Sequence, residues 1–227
     1  MSTQTERAYR HFHEQLEELT QRVLDMSRHV EAAIDLSVDA LLERDAGQAD
    51  AVLAGDSALD TLEIEIEHLA VSLLALQQPM ARDLRFVIGA IKISGDLERV
   101  GDHAVNIAEC ALRLAGDRSS ILPQPEIAEM ASDARRMLSD AIDAFVRSDG
   151  ALGRDVCRRD DKVDELHDAT FRILIQHMRA DPSTIPAALQ LLLVARNLER
   201  VADLATNIAE DAVYLAEGRT IKHGGGE

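Results

Sequence analysis

Residues 96–109 read DLERVGDHAVNIAE, and residues 197–210 read NLERVADLATNIAE. The two strings align without a gap. Glu98 falls on Glu199, Asp102 on Asp203, Asn106 on Asn207 and Glu109 on Glu210, at a constant offset of 101. A second match lies upstream, where Asp56-x-x-Leu59-Asp60 aligns with Asp160-x-x-Val163-Asp164 at an offset of 104. That offset also sets Asp45 on Asp149, Val38 on Ile142 and Asp39 on Asp143. A loop shorter by three residues in the second half reconciles the two offsets. Paired motifs in the same order are the mark of an internal duplication.

Working outward, the breaks in the chain are sparse and regular. They fall at Arg44-Asp45-Ala46-Gly47, Gln77-Gln78-Pro79, Gly116 to Pro125, Asp149-Gly150 and Asp181-Pro182-Ser183. Helical apolar spacing fills the stretches between them and predicts helices at 6–43, 46–76, 81–115, 124–147, 150–179 and 184–217. Asp149 and Asp181 sit where an N-cap belongs, and Pro79 and Pro182 where one helix has stopped and another starts. Long helices joined by short loops pack as antiparallel bundles. The expected fold is all-α, two tandem three-helix bundles, with residues 1–117 as the first, 118–217 as the second and 218–227 as a disordered tail ending in glycines.

Composition points the same way. Hydrophobic residues make up 46% of the chain, but aromatics only 3%, with no Trp and few Pro, which favours helices packed on helices. The net charge of −17 repels phosphate backbones and anionic lipid heads, so nucleic-acid binding is not expected. The charge suits cations or a basic partner. Charged residues fill the first twenty positions, so no signal peptide is expected, and the apolar stretch Ile185–Ala195 is too short to span a bilayer. Cys110 and Cys157 form no zinc or redox spacing and read as two buried thiols of a cytosolic protein.

Helical geometry directs the acids. At about 100° per residue, positions i, i+4, i+7 and i+11 share one face. Asp56, Asp60, Glu63 and Glu67 form that series on the second helix, and Glu98, Asp102 and Glu109 on the third. The second half offers Asp160, Asp164 and His167, then Glu199, Asp203 and Glu210. From Asp45 to Ala75 there is no Lys or Arg to relieve the repulsion. Oxygen-rich, sulfur-free clusters suit magnesium, manganese, calcium or iron. The competing account is a solvated face with ion pairing, for which Arg99 and Arg200 stand just after the motif glutamates. Glu65 and His68 make a Glu-x-x-His, but the repeat has Ala169 and Arg172 there, so the paired motif of di-iron bundles is absent. Glu65 also lies about 180° from the Asp56 face.

The paired third-helix and second-helix motifs closely resemble the duplicated motifs of the PhoU family, and the likeness runs from about residue 6 to 217. The resemblance implies two three-helix bundles, a cytoplasmic location, peripheral at the inner membrane through a transporter, and frequent homodimers. It implies an accessory protein of a high-affinity phosphate transporter and a negative regulator of the phosphate-starvation response. The implied partners are the transporter's ATP-binding-cassette ATPase subunit and a phosphate-sensing histidine kinase. Carried over, Asp56, Asp60, Glu98 and Asp102 would hold metal in the first half, and Asp160, Asp164, Glu199 and Asp203 in the second, with iron, zinc, manganese or magnesium as the ion. Asn197 replaces the acid at Asp96, and Ala202 replaces Gly101, so unequal metal affinity in the two halves is expected. An adaptor without turnover is therefore expected; a carboxylate-bridged di-metal oxidase or phosphatase, or a plain helical module, are the alternatives.

Overall fold

The computed structural model describes residues 2–116, 125–219 and 221, with side chains from residue 10. The six helices are α1 (Ser2–Glu43), α2 (Ala46–Gln77), α3 (Ala81–Ala115), α4 (Pro125–Arg147), α5 (Gly150–Ala180) and α6 (Ile185–Glu217). A 3-10 turn, Pro182–Thr184, precedes α6. Most boundaries fall within two residues of those expected, while α1 starts four residues earlier. Most of the expected linker and tail, residues 117–124, 220 and 222–227, lies outside the described residues.

The duplication extends to the turns. Arg44 and Ser148 are repeat counterparts, and both take left-handed backbone, with φ of 56° and 53°. Each is followed by an aspartate whose amide returns to an alanine carbonyl of the preceding helix, Asp45 to Ala40 at 3.0 Å and Asp149 to Ala144 at 2.8 Å. Each aspartate then caps the next helix, accepting from Gly47 and Gln48 or from Ala151 and Leu152. These bonds satisfy amides that a helix start leaves unpaired. Asp181 caps the 3-10 turn through Ser183 instead. There the repeats diverge: α2 and α3 are joined by the three residues Gln78–Met80 and α5 and α6 by the four residues 181–184, so the three residues missing from the second half come from the facing helix ends rather than from the loop.

Helices α1, α2 and α3 pack on one another, as do α4, α5 and α6; α3 also packs on α6, and α1 on α4. The core is aliphatic and rich in alanine, with Ile93, Leu97, Val100 and Ala104 of α3 and Val194, Leu198, Val201 and Ala205 of α6 wholly buried. Small side chains let the helix axes approach closely, and each fully buried aliphatic side chain stabilises the fold by roughly 1.5–3 kcal/mol. Phe145 of α4 stacks on Phe86 of α3 at 5.0 Å between ring centroids. A Cβ on Gly89 would lie 2.6 Å from the same ring, so the second half inserts its largest core residue where the first has a glycine.

Candidate functional site: two acidic grooves

The motif acids meet where α2 packs on α3 and where α5 packs on α6. In the first groove Asp56, Glu63 and Glu98 are half-buried, while Asp60 and Asp102 are exposed. Their fields overlap. Burial first, and then the charges of Asp60 and Asp102, hold the Asp56 carboxyl above its ordinary range. Glu98 is raised by burial and then by Asp102, Glu63, Asp60 and Asp56. Glu63 rises by burial and then by Glu67, Asp60 and Asp102. All four expected positions of this half therefore share one groove, and Glu63 joins them as a further donor.

The second groove repeats the arrangement with different neighbours. Asp160 is pushed up to about 6, by burial first and then by Asp164, Asp203, Asp161 and Glu199. Asp164 is raised by burial and by Asp203 and Asp161, while His167 draws it down. His167 stands where the first repeat has Glu63, so imidazole replaces carboxylate at that corner.

The arginines divide the two grooves further. Arg99 pairs with Asp96, one turn behind it, rather than with the motif acids. Asn197 occupies the position of Asp96 in the second repeat and offers no charge, and Arg200 turns forward to Asp203 at 2.8 Å. Arg196 holds Glu199 at 2.6 Å; its counterpart in the first repeat is Gly95, so Glu98 lacks the equivalent pair. Ion pairing, expected to compete with metal, thus reaches two motif acids in the second groove, and Arg196 supplies part of it. Arg196 is not among the arginines expected to pair with the motif acids, although its i,i+3 spacing to Glu199 is a usable signal.

Outside the grooves, other expectations resolve differently. Glu65 forms an ion pair with Arg22 of α1, which gives the lone Glu-x-x-His a structural role. Glu109 pairs with Arg113 of its own helix at 2.8 Å. Cys110 is buried, but Cys157 is only half-buried, packed against the edge of the core. Burial raises both thiols, so neither is poised as a thiolate.

Carboxylate oxygens are the donors hard cations take. Both grooves present carboxylate oxygens from two adjacent helices, and Glu199 Oε2 is buried with no hydrogen-bond partner. Among the described residues no three acidic, imidazole or thiol groups converge into a closed ligand set. A cation here would draw flexible carboxylates together rather than drop into a rigid cage.

A pair of three-helix bundles with matched acidic grooves defines a duplicated, carboxylate-lined helical protein. The PhoU domain family model matches it twice, over residues 23–111 and 127–212. The chain belongs to the PhoU family. It is 45% identical over 207 residues to a phosphate-specific transport system accessory protein PhoU homolog of Caulobacter vibrioides, covering 91% of this chain and 90% of that one. It is 40% identical over 209 residues to the homolog of Aquifex aeolicus, covering 92% and 94%. Among solved structures it matches PhoU of Pseudomonas aeruginosa with a TM-score of 0.88 and 35% identity, covering 92% of this chain and 100% of that one. The phosphate transport system regulatory protein PhoU of Streptococcus pneumoniae matches with a TM-score of 0.86 and 30% identity, covering 93% and 99%.

Proposed function

We propose that this chain is a non-catalytic accessory protein of a phosphate transport system, acting in the cytoplasm as a negative regulator of phosphate-starvation signalling. The observation that carries this reading is the matched pair of acidic grooves on a fold shared end to end with named transport accessory proteins. Among the described residues, no helix is long and apolar enough to cross a membrane, in keeping with attachment to the membrane through a partner. Its partners are the transporter's ATPase subunit and a phosphate-sensing histidine kinase, and it works as a homodimer.

In this reading Asp56, Asp60, Glu98 and Asp102 hold a cation in the first groove, and Asp160, Asp164, Glu199 and Asp203 in the second. Iron, zinc, manganese or magnesium would supply positive charge that joins α2 to α3 and α5 to α6. Half-buried Asp56, Glu98 and Asp160 repel their neighbours in the metal-free chain, so binding relieves strain while stiffening the helix pairs that present docking faces. Deleting the gene in its host should switch on phosphate-starvation genes in phosphate-rich medium, and the chain should capture the transporter's ATPase subunit. Starvation genes that stay off in the deletion strain would sink the regulatory claim.

A further inference from the structure

Between α1, α2 and α3 the first half holds a cavity of about 180 Å³. Buried Val52, Leu59 and Gly101 line it, and exposed Leu36, Ala51 and Gly55 form part of its rim. An apolar cavity of about 150 Å³ accommodates one benzene-sized group, so this one suits a single large aliphatic side chain.

Gly55 keeps it open. A glycine inside a helix destabilises it relative to alanine, so a mid-helix glycine needs a reason. Gly89, Gly101 and Gly153 have one, because a Cβ on any of them would come within 2.5–2.8 Å of a neighbour. A Cβ on Gly55 would meet nothing within 4 Å, and Gly55 is not in the left-handed region. Neither the backbone nor the packing of this chain requires glycine there.

The second half fills the same place. Arg159 is the counterpart of Gly55, and Met137 that of Ala33, which also lines the cavity. Arg159 crosses from α5 to α4, Nη2 to Asp140 Oδ2 at 2.7 Å, and its Nε lies 3.3 Å from Asp155 Oδ2. Asp140 and Asp155 are the counterparts of Leu36 and Ala51. One repeat therefore carries its occupant in its own chain, with the carboxylates that hold it. The other presents an apolar version of the same walls and leaves them open.

Charge selects what enters. Asp56 lines the mouth, and Asp60 follows one turn along α2. No Lys or Arg lies between Asp45 and Ala75, and among the described residues neither aspartate has a cationic partner. On the α1 side His29 is tied to its own helix, Nδ1 donating to the Asp25 carbonyl at 2.8 Å. The acidic stripe runs on from Asp56 to Glu67, about 16 Å along the helix, which is longer than a small amine and matched to a peptide. An apolar side chain seated in a desolvated pocket supplies the affinity of such a contact, and flanking charges supply its specificity.

We propose that this cavity docks a leucine or isoleucine side chain from a basic segment of a partner protein, whose neighbouring lysine or arginine lies over Asp56 and Asp60. The inference deepens the accessory reading, on which the existence of a partner rests, and it needs no metal.

The test has two arms. In chelator, the peptide acetyl-Lys-Ala-Leu-Ala-Lys-amide is titrated into the isotope-labelled full chain and followed by NMR. Expected are saturable shifts centred on the Ala51, Gly55 and Gly101 amides, about tenfold or more weaker with Ala in place of Leu or with Glu in place of both Lys. In Gly55→Leu the shifts should vanish while the melting temperature is kept or raised, since a side chain there follows the path of Arg159 across the cavity. In the second arm, Gly55→Leu should fail to restore repression of starvation genes to a deletion strain that the unaltered gene restores. Equal affinity for any two of the three peptides with the first among them, no saturable shift, binding that survives Gly55→Leu, or full repression by that variant overturns the inference and leaves the accessory reading standing. Failure of the unaltered gene to restore repression overturns both.

Discussion

Arg200 reaches forward to Asp203, Nη1 to Oδ2 at 2.8 Å, whereas its repeat counterpart Arg99 reaches back to Asp96. One substitution explains the reversal. Asp96 is nearly buried and charged, and draws its arginine away from the groove. Asn197 cannot, so Arg200 competes for a motif carboxylate. Changing Asn197→Asp should pull Arg200 back and release Asp203. Since such pairs are worth about 0–1 kcal/mol, the second groove should gain a few-fold in Mn²⁺ affinity, read by paramagnetic resonance. Unchanged affinity would show that Arg200 does not compete with the ion.

The two grooves also share their packing volume differently. A Cβ on Gly101 would lie 2.5 Å from Leu59 Cδ1. The second repeat has Ala202 and Val163 at these positions, one methyl added and one methylene removed, and both are fully buried. Gly101→Ala alone should therefore destabilise the first half by about 0–2 kcal/mol, overpacking against the movable end of Leu59 less the roughly 1 kcal/mol that alanine gains over glycine within a helix. Adding Leu59→Val should recover most of that loss, a coupling that urea denaturation of the four members of the cycle would measure.

The Asp160 carboxyl, pushed up to about 6 by burial and its acidic neighbours, makes metal-free stability fall with rising pH. The sign follows from proton counting. Between about pH 4 and 6 the folded chain keeps a proton on Asp160 that the unfolded chain, with its ordinary value of 3.8, has released. Asp160→Asn should consequently melt above the parent at pH 7.5, with the difference shrinking towards pH 4. A difference that is flat across this range would show that Asp160 carries no such strain.

The seam between the halves has its own weak point. Asp211 is nearly buried on α6 and pairs with Lys92 of α3 at 3.3 Å. Lys92→Met leaves that carboxylate without its cation and should cost about 1–3 kcal/mol at neutral pH. Half of the Lys92 side chain is exposed, which places the expected loss at the lower end. Lys92→Met with Asp211→Asn should restore much of it, as thermal melts of both variants would show.

Much of this was legible in one dimension. Six helices follow from apolar periodicity and from breaks at Asp45, Asp149 and Asp181, because caps and helix faces are local properties. The grooves follow from i,i+4,i+7 spacing on neighbouring helices of a hairpin. Partner choice was less accessible. Arg99 and Arg200 both have an aspartate at i+3, but only Arg99 has one at i−3, and which carboxylate wins depends on the burial of Asp96. The α3–α6 seam was invisible, since Lys92–Asp211 and His103–Asn197 join residues that periodicity does not relate.

Metal content by elemental analysis, on protein purified without an affinity tag, tests the central claim most directly. It is run beside the variant Glu98→Ala, Asp102→Ala, Glu199→Ala, Asp203→Ala. The grooves predict a stoichiometric metal in the parent that disappears in the variant. No metal in either, even after incubation with divalent ions, would contradict the account and leave the acids as charge alone.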